Sequence, residues 1–159
     1  PRGAVAKFAA AGKGAPKKDI GLIAVSYGNI YVAQIAMGAN MNQTVQALRE
    51  AEAFNGPSLI IAYSHCIAQG IEMSKGNDIQ KDAVSTGFWP LYRFNPAEEQ
   101  HQFHLDSRID IEGLEGFLNR QGRFRILTQS DPERAKMLYE LAHQDVLHRW
   151  SQYELLAKA

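Results

Sequence analysis

Hydrophobic residues in this chain come in short unbroken blocks alternating with amphipathic stretches, a rhythm that predicts strands and helices in turn. The clearest block is Leu59-Ile60-Ile61-Ala62, set behind the break Gly56-Pro57 and leading into the polar tip Ser64-His65-Cys66. Its β-branched content and lack of alternation predict a strand over 58–64 that is buried on both faces, as in a parallel sheet. Ile30 to Ala36 repeats the pattern and ends near Gly38. Between the two, residues 42–55 carry Val45, Leu48, Ala51 and Phe54 at three-residue spacing, which predicts a helix with one apolar face. Asn42 can cap that helix, and Gly56 followed by Pro57 stops it as a C′ glycine would. Strand, helix, strand (30–36, 43–55, 58–64) is a βαβ crossover with a right-handed connection, so the fold class is α/β.

The flanking segments extend this reading. Residues 3–11 have helical character, and the Gly-, Pro- and Lys-containing run 11–18 reads as a flexible basic loop. Asp19 is placed to cap a short helix over 20–27, although Leu22 to Val25 would also suit a strand, and Gly28-Asn29 is a turn signal. Asn77 with Gln80 has capping-box spacing and predicts a helix to about residue 86, broken at Gly87. Short extended pieces follow at 91–94 and around Phe103 and Leu105. A helix over 110–120 is interrupted near Gly122. Ser130-Asp131-Pro132-Glu133 then opens a long helix, 130–158, with Ser130 as its cap. Its Leu138, Leu141, Ala142, Val146, Trp150 and Tyr153 form a stripe that predicts docking on the body. No internal repeat or low-complexity tract is present. Residues 1–159 therefore read as a single partial domain.

Composition narrows the function classes. Lys plus Arg number 17 and Asp plus Glu number 17, so no basic excess is available to hold a phosphate backbone, and nucleic-acid binding is not expected. No apolar run approaches the roughly 20 residues of a membrane span. A single cysteine cannot close an internal disulfide, which points to a cytoplasmic protein. The chain opens at Pro1 without methionine, and the expectation is a piece of something longer.

Cys66 is the one residue whose chemistry stands out, because it follows a strand at the end where open α/β sheets place their ligands. On its residues alone it reads first as a small buried hydrophobe, with a nucleophile or a metal ligand as the lesser readings. His65 is adjacent, but neighbours at a strand end point to opposite faces, so it is a poor base for Cys66. One thiolate cannot make a cluster site, so any further ligands would lie outside these residues. His101 and His104, or His143 and His148, are not spaced to meet on one face. The glycines Gly12 and Gly14 make no P-loop. Tyr63, Trp89, Tyr92 and Phe94 read as core, and Glu98-Glu99 as a solvated loop.

Four longer stretches carry more than their physics. They are Gly3-Ala4-Val5-Ala6-Lys7-Phe8-Ala9, the run from Tyr31 to Asn40, the run from Glu50 to Tyr63, and Trp89-Pro90-Leu91-Tyr92-Arg93-Phe94-Asn95-Pro96. In this order they resemble the C-terminal part of pyruvate:ferredoxin (flavodoxin) oxidoreductases, the nitrogen-fixation-associated type included, over nearly the whole chain. The resemblance implies an α/β fold: the second half of a thiamine-diphosphate-binding (PP-type) parallel-sheet domain with a long C-terminal docking helix at 130–158. It implies an enzyme that uses thiamine diphosphate, Mg²⁺ and [4Fe-4S] clusters to convert pyruvate and coenzyme A into acetyl-CoA and CO₂. Electrons would pass to ferredoxin or flavodoxin. A homodimer is implied, with the rest of the oxidoreductase chain as the partner of this segment. By the same resemblance Cys66 is the fourth ligand of the [4Fe-4S] cluster nearest the thiamine, and no catalytic residue falls in this segment.

The departures from the family pattern are specific. Its Mg²⁺-diphosphate loop and its other cluster cysteines are absent from these residues. Gln69 stands where many relatives have histidine, and Arg2 where threonine is common. Alone, the segment would be inactive. The competing expectation is a non-catalytic α/β interaction module that folds by itself and docks through its last helix. A cysteine hydrolase would need a base near Cys66 that the sequence does not supply.

Overall fold

The computed structural model describes residues 1–159 and has the α/β architecture expected. Its centre is a four-stranded mixed sheet of order β2-β1-β3-β4, built from β1 (Tyr31–Ile35), β2 (Ser58–Ala62), β3 (Tyr92–Phe94) and β4 (Phe103–Leu105). β1 and β2 run parallel, Tyr31 opposite Ser58 and Ile35 opposite Ala62, joined through helix α2 (Met41–Ala53). The remaining pairs, β1 with β3 and β3 with β4, are antiparallel, so the sheet is parallel only in its βαβ half.

β1 is the hub because both its faces are covered. Tyr31, Ala33 and Ile35 pack with Ala47 of α2 on one side. Val32 turns the other way, to a cluster with Ala24, Tyr92, Phe94, Phe103 and Tyr153. The two sets alternate along the strand as the pleat requires. Ala24 comes from α1 (Ile20–Val25), where Asp19 Oδ1 accepts from the Leu22 amide at 2.9 Å, as predicted. Gly21 of α1 lies directly over Tyr92, and a Cβ there would fall 1.6 Å from the phenol oxygen. A third cluster joins Ala36 to Ile79 and Ala83 of α3 (Gly76–Ser85), to Leu114, Phe117 and Leu118 of the α4 region (Leu114–Asn119), to Phe124 of α5 (Gly122–Ser130), and to Val146 of α6 (Pro132–Lys158). α6 buries Leu138, Val146, Trp150 and Tyr153, the core of its expected stripe. At about 1.5–3 kcal/mol for each large apolar side chain removed from water, that stripe fixes the helix to the body.

Several local expectations are corrected. Residues 3–11 are not helical; they form turns with a bridge between Ala6 and Ala9. Left-handed Gly3 (φ 81°) and Gly12 (φ 75°) bend the backbone so that Gly3 donates to the Lys13 carbonyl and Lys13 to that of Ala4. β2 is an edge strand within these residues, with Leu59, Ile60 and Ile61 half-buried, where burial on both faces was expected. α2 buries Gln43, Thr44 and Ala47, whereas Val45 and Leu48 of the expected face are exposed. Gly56 does not take the left-handed C′ conformation; α2 ends at extended Phe54. Asp131 caps α6, accepting from the Arg134 amide at 3.1 Å, and Ser130 instead closes α5.

The cap of α2 is Asn40, whose side chain accepts from the Gln43 amide at 3.0 Å, and Asn42 lies exposed inside the helix. Losing such a cap costs about 1 kcal/mol. Asn40→Ala is therefore expected to speed amide hydrogen exchange across the first turns of α2 by about fivefold. Asn42→Ala should leave it unchanged. Equal effects from the two variants would contradict the assignment.

Candidate functional site at the carboxyl ends of β1 and β2

The pairing of β1 and β2 runs one step past the strands, the Tyr63 amide donating to the Ile35 carbonyl at 2.9 Å. Beyond it the loop 64–70 is braced at three points. The Gln69 side-chain amide donates to the Ser64 carbonyl at 3.2 Å and holds the loop closed on itself. Left-handed Gly70 (φ 67°) presses on Gly122, whose amide donates to the Gly70 carbonyl at 2.9 Å. A Cβ on Gly70 would lie 2.7 Å from the Gly122 Cα, so this loop-to-helix contact needs two glycines.

The third brace is Gln80. Its Oε1 accepts from the Gly38 amide at 2.8 Å, so its Nε2 faces His65 and donates to Nδ1 at 3.0 Å. One side chain on α3 thus ties together the ends of both parallel strands. This acceptor role places the proton of a neutral imidazole on Nε2. Gly76 completes the fit, since a Cβ there would stand 2.3 Å from His65 Nε2. The capping box expected from Asn77 and Gln80 does not form; Lys75 precedes the helix without a side-chain cap. Sequence spacing had identified Gln80 but with a local role, and no signal in one sequence links it to His65 and Gly38.

Cys66 stands in the middle of the braced loop, with extended backbone (φ −143°, ψ 144°), and its side chain is exposed. It is not the small buried hydrophobe that was one reading of it. Exposed apolar side chains occur on the segments that follow both strands: Ile67 (77% exposed) and Met73 after β2, and Met37 and Met41 after β1. His65 is engaged by Gln80, so its Nδ1 is not free to take a proton from Cys66. No group of three or more His, Cys, Asp or Glu side chains is placed to hold a metal ion. The site can therefore contribute one thiolate from a fixed backbone to a metal centre completed by other residues.

The remaining aromatic and histidine candidates make local structural contacts. Trp89, Tyr92 and Phe94 are buried, and Tyr63 packs edge-on against Trp89 at 5.3 Å. His104 pairs with Glu98 at 2.9 Å, His148 with Gln152 at 3.2 Å, and His143 lies beside the Tyr139 ring. None of the histidine pairs forms a shared site. No helix is long and apolar enough to cross a membrane.

No family model matches the chain. Curated relatives do. A pyruvate-flavodoxin oxidoreductase of Nostoc sp. is 52% identical over 160 residues, taking in 99% of this chain and 13% of its own length. A putative pyruvate-flavodoxin oxidoreductase of Synechocystis sp. matches at 52% with the same coverage. A pyruvate:ferredoxin oxidoreductase of Moorella thermoacetica is 46% identical over 98% of the chain and 14% of its own length. The chain thus spans about one-eighth of the length of the Nostoc and Synechocystis relatives. The resemblance drawn from Gly3 to the last helix is borne out.

Proposed function

We propose that this chain, a segment homologous to pyruvate-flavodoxin and pyruvate:ferredoxin oxidoreductases, is the part of such an enzyme that presents Cys66 to a [4Fe-4S] cluster. The whole enzyme would convert pyruvate and coenzyme A thiol to acetyl-CoA and CO₂, releasing one proton and two electrons. Ferredoxin or flavodoxin would take the electrons. Thiamine diphosphate with Mg²⁺, when bound, would supply the carbanion chemistry that decarboxylation needs. No residue of this segment is assigned to that chemistry.

The observation that carries the reading is the exposed thiol on a loop braced at Gln69, Gly70 and Gln80. A cluster ligand must hold its sulfur in place while electrons come and go, and a thiolate on a rigid strand end does so. The apolar side chains of Met37, Met41, Ile67 and Met73 favour covering of this end by the rest of the oxidoreductase, which would shield a cluster from water. In this arrangement Gln80 acts as a positioning residue: it orients His65 and with it the backbone leading to Cys66. Three further cluster ligands, the cofactor and substrate sites, and the second subunit of a homodimer would come from outside these residues.

A thiolate bound to iron is protected from alkylation. In the full-length enzyme, iodoacetamide is expected to leave Cys66 unmodified until iron is stripped, and then to label it in full, as read by peptide mass spectrometry. Equal labelling before and after iron removal would overturn the assignment.

A further inference from the structure

Between α6, α4 and the segment before α1 lies a cavity of about 220 Å³, and its lining is of two kinds. Phe88, Leu114, Leu118 and Val146 are apolar, and the last three are core residues, so the cavity reaches the main hydrophobic cluster. Lys17 and Asp19 from the N-terminal segment, and Asp145 and Arg149 from α6, are charged. Lys17, Asp19 and Arg149 also line a smaller cavity of about 40 Å³ with Trp89 and Tyr153, so these three side chains stand together between the two spaces.

The charges around the larger cavity do not balance. Arg2, also in its lining, donates to Asp145 at 2.6 and 3.0 Å, and the two cancel. Asp19 is engaged by neutral donors, the Leu22 amide and the Tyr153 hydroxyl. The chain's ion pairs take in Arg2, Lys75, Lys81, Arg93, His104 and Arg120, and neither Lys17 nor Arg149 is among them. The Lys17 ammonium stands 4.7 Å over the Trp89 ring. Arg149 donates Nη2 to the carbonyls of Gly87 and Phe88 at 3.2 and 2.8 Å, and its Nε is buried without a partner. Set against Asp19, these two cations leave one positive charge over. A partly dry recess is costly for an uncompensated charge, and a single negative charge restores the balance where a dianion would overshoot it. The two oxygens of a carboxylate match a guanidinium fork and can accept from an ammonium as well. A bare anion would leave the apolar lining unfilled, whereas an aliphatic body covers it.

We propose that this cavity binds a small aliphatic carboxylate, its anionic end at Lys17 and Arg149 and its apolar body on Leu118 and Val146. The site stands apart from the reading of Cys66 and does not depend on it.

The test is acylation of Lys17 by acetic anhydride in the full-length protein, quantified by mass spectrometry with Lys75 and Lys81 as internal controls. The probe is isocaproate at constant ionic strength, set against acetate, which lacks the apolar body, and isocaproamide, which lacks the charge. Saturating isocaproate is expected to slow Lys17 acylation by about tenfold or more, the control lysines being unaffected. Acetate and the amide should slow it by less than about twofold. Arg149→Gln should lose the protection, and Arg149→Lys, which keeps the charge without the fork, should retain part of it. Cys66→Ser should retain all of it, which separates this site from the cluster. Acylation indifferent to isocaproate would overturn the proposal, as would equal protection by acetate or by the amide, or undiminished protection in Arg149→Gln. So would a Lys17 that is inert without the probe, because another part of the protein would then already fill the cavity.

Discussion

Replacing Arg93 with Met is expected to be the most destabilising single change in this segment, costing about 3–5 kcal/mol. Arg93 is buried in the central antiparallel pair, opposite Ala33 of β1, and holds two carboxylates at once. It meets Asp106 in a two-point contact, Nε to Oδ2 at 2.7 Å and Nη2 to Oδ1 at 2.9 Å, and reaches Glu50 of α2 through Nη1 at 2.5 Å. Glu50 also accepts from the Tyr31 hydroxyl at 2.8 Å, and Asp106 from Gln43 at 3.1 Å. The network joins β1, α2, β3 and the segment after β4. Its two acids hold Arg93 firmly charged, the contact with Asp106 foremost, while burial and the bond to Glu50 push the Tyr31 phenol up.

Without the guanidinium, two carboxylates face each other in a partly dry site. The cost arises from those uncompensated charges more than from lost attraction. Arg93→Met is therefore expected to lower the urea midpoint for loss of native β-sheet structure in this domain well below that of the parent enzyme. The combined replacement Arg93→Met, Asp106→Asn, Glu50→Gln should recover most of the loss. A single variant within about 1 kcal/mol of the parent, the size of an exposed ion pair, would contradict this account.

Sequence pattern and structure agree where the interaction is local or periodic. The apolar blocks became β1 and β2, the Asp19 cap and the turn at Gly28 formed, and the stripe from Leu138 to Tyr153 is the docked face of α6. Disagreement follows long-range polar contacts. α2 turns Gln43 and Thr44 inward because Gln43 serves Gln34 and Asp106, a choice no helical period can reveal. Gln80 has the spacing of a cap and the job of a tether. The alanine-rich stretch 3–11 has helical propensity, yet Val5 spends its amide on the Arg123 carbonyl, and that tertiary contact goes with turns. The pattern put the cap of α2 at Asn42; backbone geometry puts it two residues earlier, at Asn40.

At the site, the position of Cys66 after a strand was legible, and so was the poor prospect of His65 as its base. The exposure of the thiol was not, because it depends on the course of a loop that is pinned to α5 by the long-range contact of Gly70 with Gly122.

The second large effect concerns Cys66 itself. A serine oxygen is a harder and poorer ligand for cluster iron than a thiolate. Cys66→Ser, made in the full-length oxidoreductase, removes the sulfur while leaving the braces at Gln69, Gly70 and Gln80 untouched, so the loop should keep its shape. The decisive measurement is iron content per chain, read together with pyruvate-dependent reduction of ferredoxin or flavodoxin. The proposed role predicts a loss of up to about four irons per chain, one [4Fe-4S] cluster, with electron delivery falling in step. A Cys66→Ser enzyme with its full iron content and undiminished electron transfer would contradict it.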